Sequence, residues 1–82
     1  MSYQIGQQVF AKVWDGDTHE FVQVRGVVGA IEGDRCAVLM PDRRTGTLAP
    51  FAVETADLAP RKEDHREVWT CTVGGKDIRV WL

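Results

Sequence analysis

Hydrophobic and polar residues alternate along the beginning of the chain. In residues 6–14, GQQVFAKVW, alternate positions form two sets that point to opposite sides of a strand. One set is Val9, Ala11 and Val13, and the other is Phe10, Lys12 and Trp14. A period of two residues is typical of a half-buried β-strand, whose successive side chains point to opposite faces. Residues 15–18, DGDT, follow at once and have the composition of a tight turn. The pattern predicts a first strand that carries Phe10 and Trp14 on its outward face.

Three further strands are predicted before residue 54. Residues 20–33, EFVQVRGVVGAIEG, are rich in valine, and the glycines at 26 and 29 predict a long strand with a bend or bulge, as a small barrel requires. The apolar run at 35–40, RCAVLM, predicts a central strand. Pro50 places the next strand, 47–53, at an edge or a bulge. Residues 54–60, ETADLAP, predict a single 3₁₀ turn.

The end of the chain carries the strongest local signal. Two β-rich runs flank Gly74-Gly75, which suits a two-residue hairpin turn. The parity of this hairpin places Val73 opposite Lys76, Cys71 opposite Ile78 and Trp69 opposite Val80. One face is then apolar, and Trp81 lies on the other. The charged run RKEDHR at 61–66 predicts a solvated linker, so a single domain is expected, with a barrel at 1–60, the linker at 61–66 and a hairpin at 67–82. The hairpin is expected to pack on the barrel or on a partner chain.

Composition narrows the class of protein. Eighty-two residues make one domain, and a chain of this size buries only about 60–65% of its unfolded surface. No apolar run reaches the roughly 20 residues of a membrane span, and the first residues lack a signal-peptide pattern, so a cytoplasmic protein without membrane contact is expected. The formal charge of −2 makes a nucleic-acid partner less expected than a protein partner. Cys36 and Cys71 lie in apolar runs and are predicted to be small buried side chains.

One short stretch gathers groups that often carry chemistry. Asp15, Asp17, His19 and Glu20 fall within six positions, but the spacing matches neither a calcium loop nor a zinc site. The stretch is interpreted as a polar turn, and no metal or cofactor is expected.

Catalysis is not expected either. Acyl transfer or hydrolysis needs a nucleophile, a base and an orienting group that converge. The chain has a single serine, Ser2, and its two cysteines are predicted to be buried. The chain is therefore expected not to be an enzyme.

The ordered elements resemble a known class of barrel. GQQVFAKV, the Asp-Gly turn, HEFVQVRGVVGAI, EGDR, CAVLM, TLAPFAV and ADLAP follow one another as in an SH3-like small β-barrel of the Tudor-like kind, over residues 5–60. The resemblance implies an all-β barrel of about five strands, to which the C-terminal β-hairpin is added. It also implies a binding module that holds a methylated cation or a peptide arginine between aromatic rings. Carried over, the candidates are Trp14 and Phe21, with Asp15 or Asp17 as a nearby anion, whereas Phe51 is expected in the core.

Exposed aromatic side chains give the leading hypothesis for function. Outward aromatic groups are frequent at protein interfaces, so we expect a non-catalytic adaptor or inhibitor that binds another protein, a peptide or a second copy of itself. The predicted binding residues are Phe10, Trp14, Asp15, Asp17, Phe21 and Trp81. The terminal hairpin covering Phe10 and Trp14 is the competing interpretation of the same pattern.

Two further hypotheses stay open. One is a nucleic-acid-associated regulator that contacts phosphates through five arginines, Arg25, Arg35, Arg43, Arg44 and Arg61. The other is a small inhibitor protein of a phage or mobile element, for which no residue identifies a target. Salt dependence separates the first of these from an aromatic interface, because phosphate-driven affinity falls steeply with salt.

Overall fold

Antiparallel β-strands build the whole fold. The computed structural model describes residues 2–42, 44–62 and 64–82, and within them the elements are β1 (Gln8–Asp15), β2 (Glu20–Glu32), β3 (Arg35–Asp42), β4 (Thr47–Glu54), a 3₁₀ turn (Thr55–Asp57), β5 (Leu58–Pro60), β6 (Val68–Val73) and β7 (Lys76–Trp81). Strands β1 to β5 form one sheet in the order β4-β3-β2-β1-β5, and β6 and β7 form a separate hairpin. The predicted all-β class, a small barrel-like sheet with an added hairpin, is confirmed.

The length of β2 lets the sheet curl around a core. Its first part pairs with β1 and its last part with β3, and the pairing with β3 shifts between Val28 and Ala30, at Gly29. At Gly26 a Cβ atom would lie 2.6 Å from Cγ1 of Val38, so only glycine permits this close approach of β3. The predicted bulge is confirmed at Gly29, whereas Gly26 lies in regular pairing and permits the close approach of β3.

The remaining strands agree with the prediction except at two prolines. β3 lies inside the sheet, and β4, which contains Pro50, lies at its edge. β3 extends beyond the predicted run at 35–40, since Pro41 pairs with Leu48 of β4. Residues 54–60 hold more than the predicted 3₁₀ turn, because Leu58–Pro60 pair with β1 as β5. Proline is compatible with such positions at strand ends and at edges, where no ladder hydrogen bond is lost.

A first hydrophobic core fills the inside of the curled sheet. Its buried members are Val9, Ala11, Val28, Cys36, Val38, Met40, Val53 and Leu58. Valine predominates because β-branched side chains pack well on a pleated surface. Both cysteines are buried and free, as predicted.

A second, smaller core lies on the outer face of the same sheet, where the C-terminal hairpin packs. Its buried members are Val27, Leu48, Cys71 and Leu82. The register of the hairpin is the predicted one, with Cys71 opposite Ile78 and Trp69 opposite Val80. Ile78 departs from the expected apolar face, because 44% of its surface is exposed. The hairpin thus packs in cis and covers one end of the outer face.

Candidate functional site: an outward-facing stripe on β1 and β2

Side chains of β1 and β2 form a stripe on the outer face of the sheet. Directly opposite pairs of residues are Gln8 and Val27, Phe10 and Arg25, Lys12 and Gln23, and Trp14 and Phe21. These eight residues alternate with inward valines and alanine, so they share one face. We call them the outer stripe. It runs from the second core at Gln8 and Val27 to the β1–β2 turn beyond Trp14 and Phe21.

The two aromatic residues at the turn end of the outer stripe are in contact with each other and with water. The Trp14 and Phe21 side chains are 57% and 58% exposed, respectively. Their ring centroids lie 5.1 Å apart at an interplanar angle of 74°, an edge-to-face arrangement. Lys12 places its Nζ 4.6 Å from the centroid of the Phe21 ring. Because the two residues are cross-strand neighbours, the paired backbones hold their rings side by side.

Three carboxylates lie at the turn end of β1 and β2, and two of them, at positions that alternate with the aromatic residues, belong to the opposite face of the sheet. Asp15 lies directly opposite Glu20, next to the pair along the strands. In the turn, Oδ1 of Asp15 accepts a hydrogen bond from the backbone N–H of Asp17 at 2.9 Å. His19 adopts a positive φ of 55° and lies 6.4 Å from the Trp14 ring, edge to face. The turn end therefore combines apolar rings with negative charge. Among the residues that the structure describes, no group of three or more His, Cys, Asp or Glu side chains could hold a metal ion.

Gln8 fixes the covered end of the outer stripe. Its side chain is buried, and Nε2 donates to the carbonyl oxygens of Asp64 at 2.6 Å and Trp81 at 3.0 Å. Its Oε1 accepts from the backbone N–H of Asp64 at 2.6 Å. One amide thus joins β1 to the segment after β5 and to the last strand. Within the predicted linker, the backbone of Asp64 is thus bound to the sheet, while the side chains of Lys62, His65 and Arg66 are exposed.

Arg61 covers Phe10, the next residue of the outer stripe after Gln8 along β1. Its backbone N–H donates to the carbonyl oxygen of Gln8 at 3.3 Å, and its Cζ lies 5.7 Å from the centroid of the Phe10 ring. Phe10 lies on the predicted outward face of β1 and is half-buried. Burial, and then the charge of Arg25, lowers the pKa of the Arg61 guanidinium, while Asp64 acts in the opposite direction. A recess of about 450 Å³ opens beside it.

The other predicted site residues lie apart from the stripe. Trp81 is 46% exposed and its ring lies 5.3 Å from that of His65, so the structure does not bring it to Trp14. Arg35 forms a salt bridge with Glu54 at 3.0 Å. Arg44 is exposed in the loop between β3 and β4, and Arg43 lies outside the described residues. Among the described arginines of this set, only Arg25 and Arg61 line the same recess.

Phe51 corrects another expectation. It was predicted to lie in the core, but 42% of its surface is exposed. Its strand β4 is at the edge of the sheet, and in the described part of the chain no strand pairs beyond it. The Phe51 ring therefore extends past the rim of the core.

Gln8 is the residue that the sequence did not reveal. A polar residue at an outward strand position is expected in water, and nothing local indicates that a segment 56 residues away in sequence covers it.

No family model, curated protein or solved structure matches this chain. The described residues contain no helix of the length and hydrophobicity that a membrane span requires.

Proposed function

We propose that this chain is a non-catalytic, cytoplasmic protein-binding module that takes a basic segment of another protein at Trp14 and Phe21. The observation that carries the proposal is the pair of adjacent aromatic rings, each more than half exposed, at the only end of the outer stripe that neither the hairpin nor the segment after β5 covers in the described residues. An adaptor and an inhibitor would use the same surface.

Two large rings in water favour an interface. Aromatic side chains are enriched in the centres of protein interfaces, where tryptophan often contributes most of the binding energy. The backbones of Trp14 and Phe21 are also paired with each other in the sheet, so this part of the surface is ordered before a ligand binds. A rigid surface loses little conformational entropy on binding, so more of the contact energy appears as affinity.

The charges around the rings favour a cationic ligand. Asp15, Asp17 and Glu20 lie at the turn that joins β1 to β2, the end that carries Trp14 and Phe21, and they attract positive groups. The face of an aromatic ring also attracts a cation, as the position of Lys12 over Phe21 illustrates. A lysine or arginine side chain of a partner would gain both interactions at Trp14.

A nucleic-acid partner is the second candidate, and one observation favours it. Arg25 and Arg61 line the same recess at the covered end of the outer stripe. The three carboxylates at the turn end would repel phosphates from the aromatic rings, so a polyanion cannot use the whole stripe favourably. This polarity supports a protein partner over a nucleic acid.

Peptide binding tests the proposal. The probes are short peptides that carry arginine, lysine or trimethyl-lysine between neutral residues, with glutamate versions as controls, measured by fluorescence anisotropy. The basic peptides should bind, and Trp14→Ala and Phe21→Ala should each weaken binding by about thirtyfold, the effect of losing an interface hot spot. Ile31→Ala is the matched control, since Ile31 is 42% exposed on β2 but lies beyond the bulge.

Two outcomes contradict the proposal. Binding that survives both aromatic substitutions would remove the Trp14–Phe21 pair from the interface. A dimer in light scattering that dissociates in Trp14→Ala would assign the surface to a second copy of this chain instead of a basic partner.

A further inference from the structure

We propose that Arg61, together with Arg25, Lys62 and Arg66, forms an oxyanion site for a phosphate-type group at the covered end of the outer stripe. This inference is independent of the partner proposed for Trp14 and Phe21. It concerns a different recess, and its test uses inorganic phosphate alone.

The Arg61 guanidinium is shielded from water and lacks hydrogen-bond acceptors within the described residues. All three of its nitrogen atoms are shielded from solvent, and none has a hydrogen-bond partner among the described residues. A guanidinium offers five N–H donors, and leaving charged donors buried without acceptors is costly. The Phe10 ring, 5.7 Å from Cζ, interacts with the face of the guanidinium and satisfies none of the donors in its plane. A bound oxyanion would supply the missing acceptors.

Positively charged side chains predominate around Arg61. The recess of about 450 Å³ is lined by Phe10, Arg25, Arg61, Lys62, Asp64 and Arg66. Its one carboxylate within the described residues, Asp64, already pairs with Arg66, whose Nε lies 2.8 Å from Oδ2. Among the described residues of the recess, Arg25, Arg61 and Arg66 therefore share a single carboxylate, and Arg25 and Arg61 repel each other. An anion between them would relieve this repulsion, which also contributes to the lowered pKa of Arg61.

The wall of the recess is held in place before any ligand arrives. The Gln8 side-chain amide donates to the carbonyl oxygen of Asp64 and accepts from its backbone N–H, each at 2.6 Å. The backbone carbonyl oxygen of Gln8 accepts a hydrogen bond from the N–H of Arg61. The segment that supplies Arg61, Lys62 and Arg66 is thus connected to β1. Preorganised donors give up less entropy when they bind a ligand.

A compact anion fits better than a long polyanion. A guanidinium binds two oxygens of one phosphate or carboxylate in a fork geometry, and several cations around one point favour the more highly charged phosphate. Arg35 is paired with Glu54 elsewhere, and the carboxylates at the turn end begin about 17 Å from Phe10 along β1 at the rise of a strand. Along the described outer stripe, Lys12 is the one cation between the recess and the aromatic pair.

Titration with inorganic phosphate tests the site. Arginine Nε–Hε resonances of the full ¹⁵N-labelled chain are followed by NMR while phosphate replaces chloride at constant ionic strength. The Arg61 resonance should shift and saturate, with smaller shifts at Arg25 and Arg66. Arg61→Met should weaken phosphate binding by at least about tenfold, the cost of a lost charge-assisted hydrogen bond. Arg35→Met, at an exposed arginine outside the recess, should leave binding unchanged.

A second variant keeps the test decisive if Arg61→Met alters the fold. Arg25→Met removes a cation from the recess without removing the Arg61 side chain, and it should also lower phosphate affinity. O-phosphoserine distinguishes the source of the group: tighter binding than inorganic phosphate indicates a phosphorylated partner, and equal binding indicates the free ion.

Three results would overturn the site. Shifts that rise linearly with phosphate and never saturate would reflect bulk salt only. Unchanged affinity in both Arg61→Met and Arg25→Met would place the anion elsewhere. An oligothymidylate whose affinity grows with length and whose binding shifts Arg35 and Arg44 as well would replace the compact site with a nucleic-acid surface.

Discussion

The two ends of the outer stripe have the same backbone geometry and opposite surroundings. At one end, Gln8 and Val27 are buried beneath the C-terminal hairpin and the segment after β5. At the other end, Trp14 and Phe21 form an equally regular cross-strand pair that is more than half exposed. Phe10, between them, is partly covered by Arg61.

The difference teaches that hydrophobicity alone does not decide which part of a strand face is buried. The covered end carries the less hydrophobic pair, a glutamine and a valine, and the open end carries two aromatic rings. What decides burial is where the end of the chain packs, which it does through the Gln8 amide and the second core. The residues of the open end are then available for a partner, and those of the covered end serve stability.

Leu82 should be the residue whose loss most affects the covered end. It is fully buried between the hairpin and the sheet, and its backbone exchanges two hydrogen bonds with Glu67. Leu82→Ala should lower the free energy of unfolding by about 3 kcal/mol, from lost apolar burial and the cavity left behind. Urea unfolding followed by circular dichroism measures this change.

Ile78→Ala is the control for that substitution. It removes an aliphatic side chain from the same hairpin, but one that is 44% exposed. The expected loss is below about 1 kcal/mol. Equal losses in the two variants would mean that the hairpin does not pack on the sheet through Leu82.

Gln8→Ala should have the second-largest effect. It removes three side-chain hydrogen bonds and leaves the N–H and C=O of Asp64 without their partner. The expected loss of stability is about 2 kcal/mol, since unsatisfied buried groups add to the lost bonds. Gln23→Ala, at an exposed position of the same stripe, should change stability by less than about 0.5 kcal/mol. A Gln8 variant as stable as the Gln23 variant would refute the role of the Gln8 amide.

Trp14→Ala should affect stability much less than Leu82→Ala or Gln8→Ala. The Trp14 side chain gains its folded-state contacts from Phe21 and His19 at the surface, so its loss should cost about 0.5 kcal/mol. Thermal unfolding of the variant beside Leu82→Ala compares the two ends directly. A loss as large as that of Leu82→Ala would make Trp14 a structural residue.

Much of the fold follows from local sequence. The period-two pattern predicts β1, the glycines at 26 and 29 predict the bent β2, and the Gly74-Gly75 turn predicts the register of β6 and β7. These features depend on neighbouring residues or on turn chemistry, which single sequences record well. The exposed Trp14–Phe21 pair follows from the same alternation.

The features that sequence did not predict all depend on distant contacts. β5 forms because Leu58 and Pro60 reach β1, and Arg61 is shielded because Gln8 binds the segment that follows it. A charged run such as RKEDHR is ordinarily solvated, and no local pattern indicates that its backbone will bind a buried amide. The position of Trp81 away from Trp14 likewise depends on where the hairpin packs.

Fluorine NMR of the protein labelled with 5-fluorotryptophan tests the central claim most directly, because the chain has three tryptophans and they occupy different surroundings. Trp14 lies at the open end, Trp69 packs against the second core, and Trp81 lies near His65. When a basic peptide is added, the account predicts that the Trp14 resonance shifts while those of Trp69 and Trp81 stay in place. A shift of Trp69 or Trp81 with Trp14 unchanged would contradict it, since binding would then occur at the covered end.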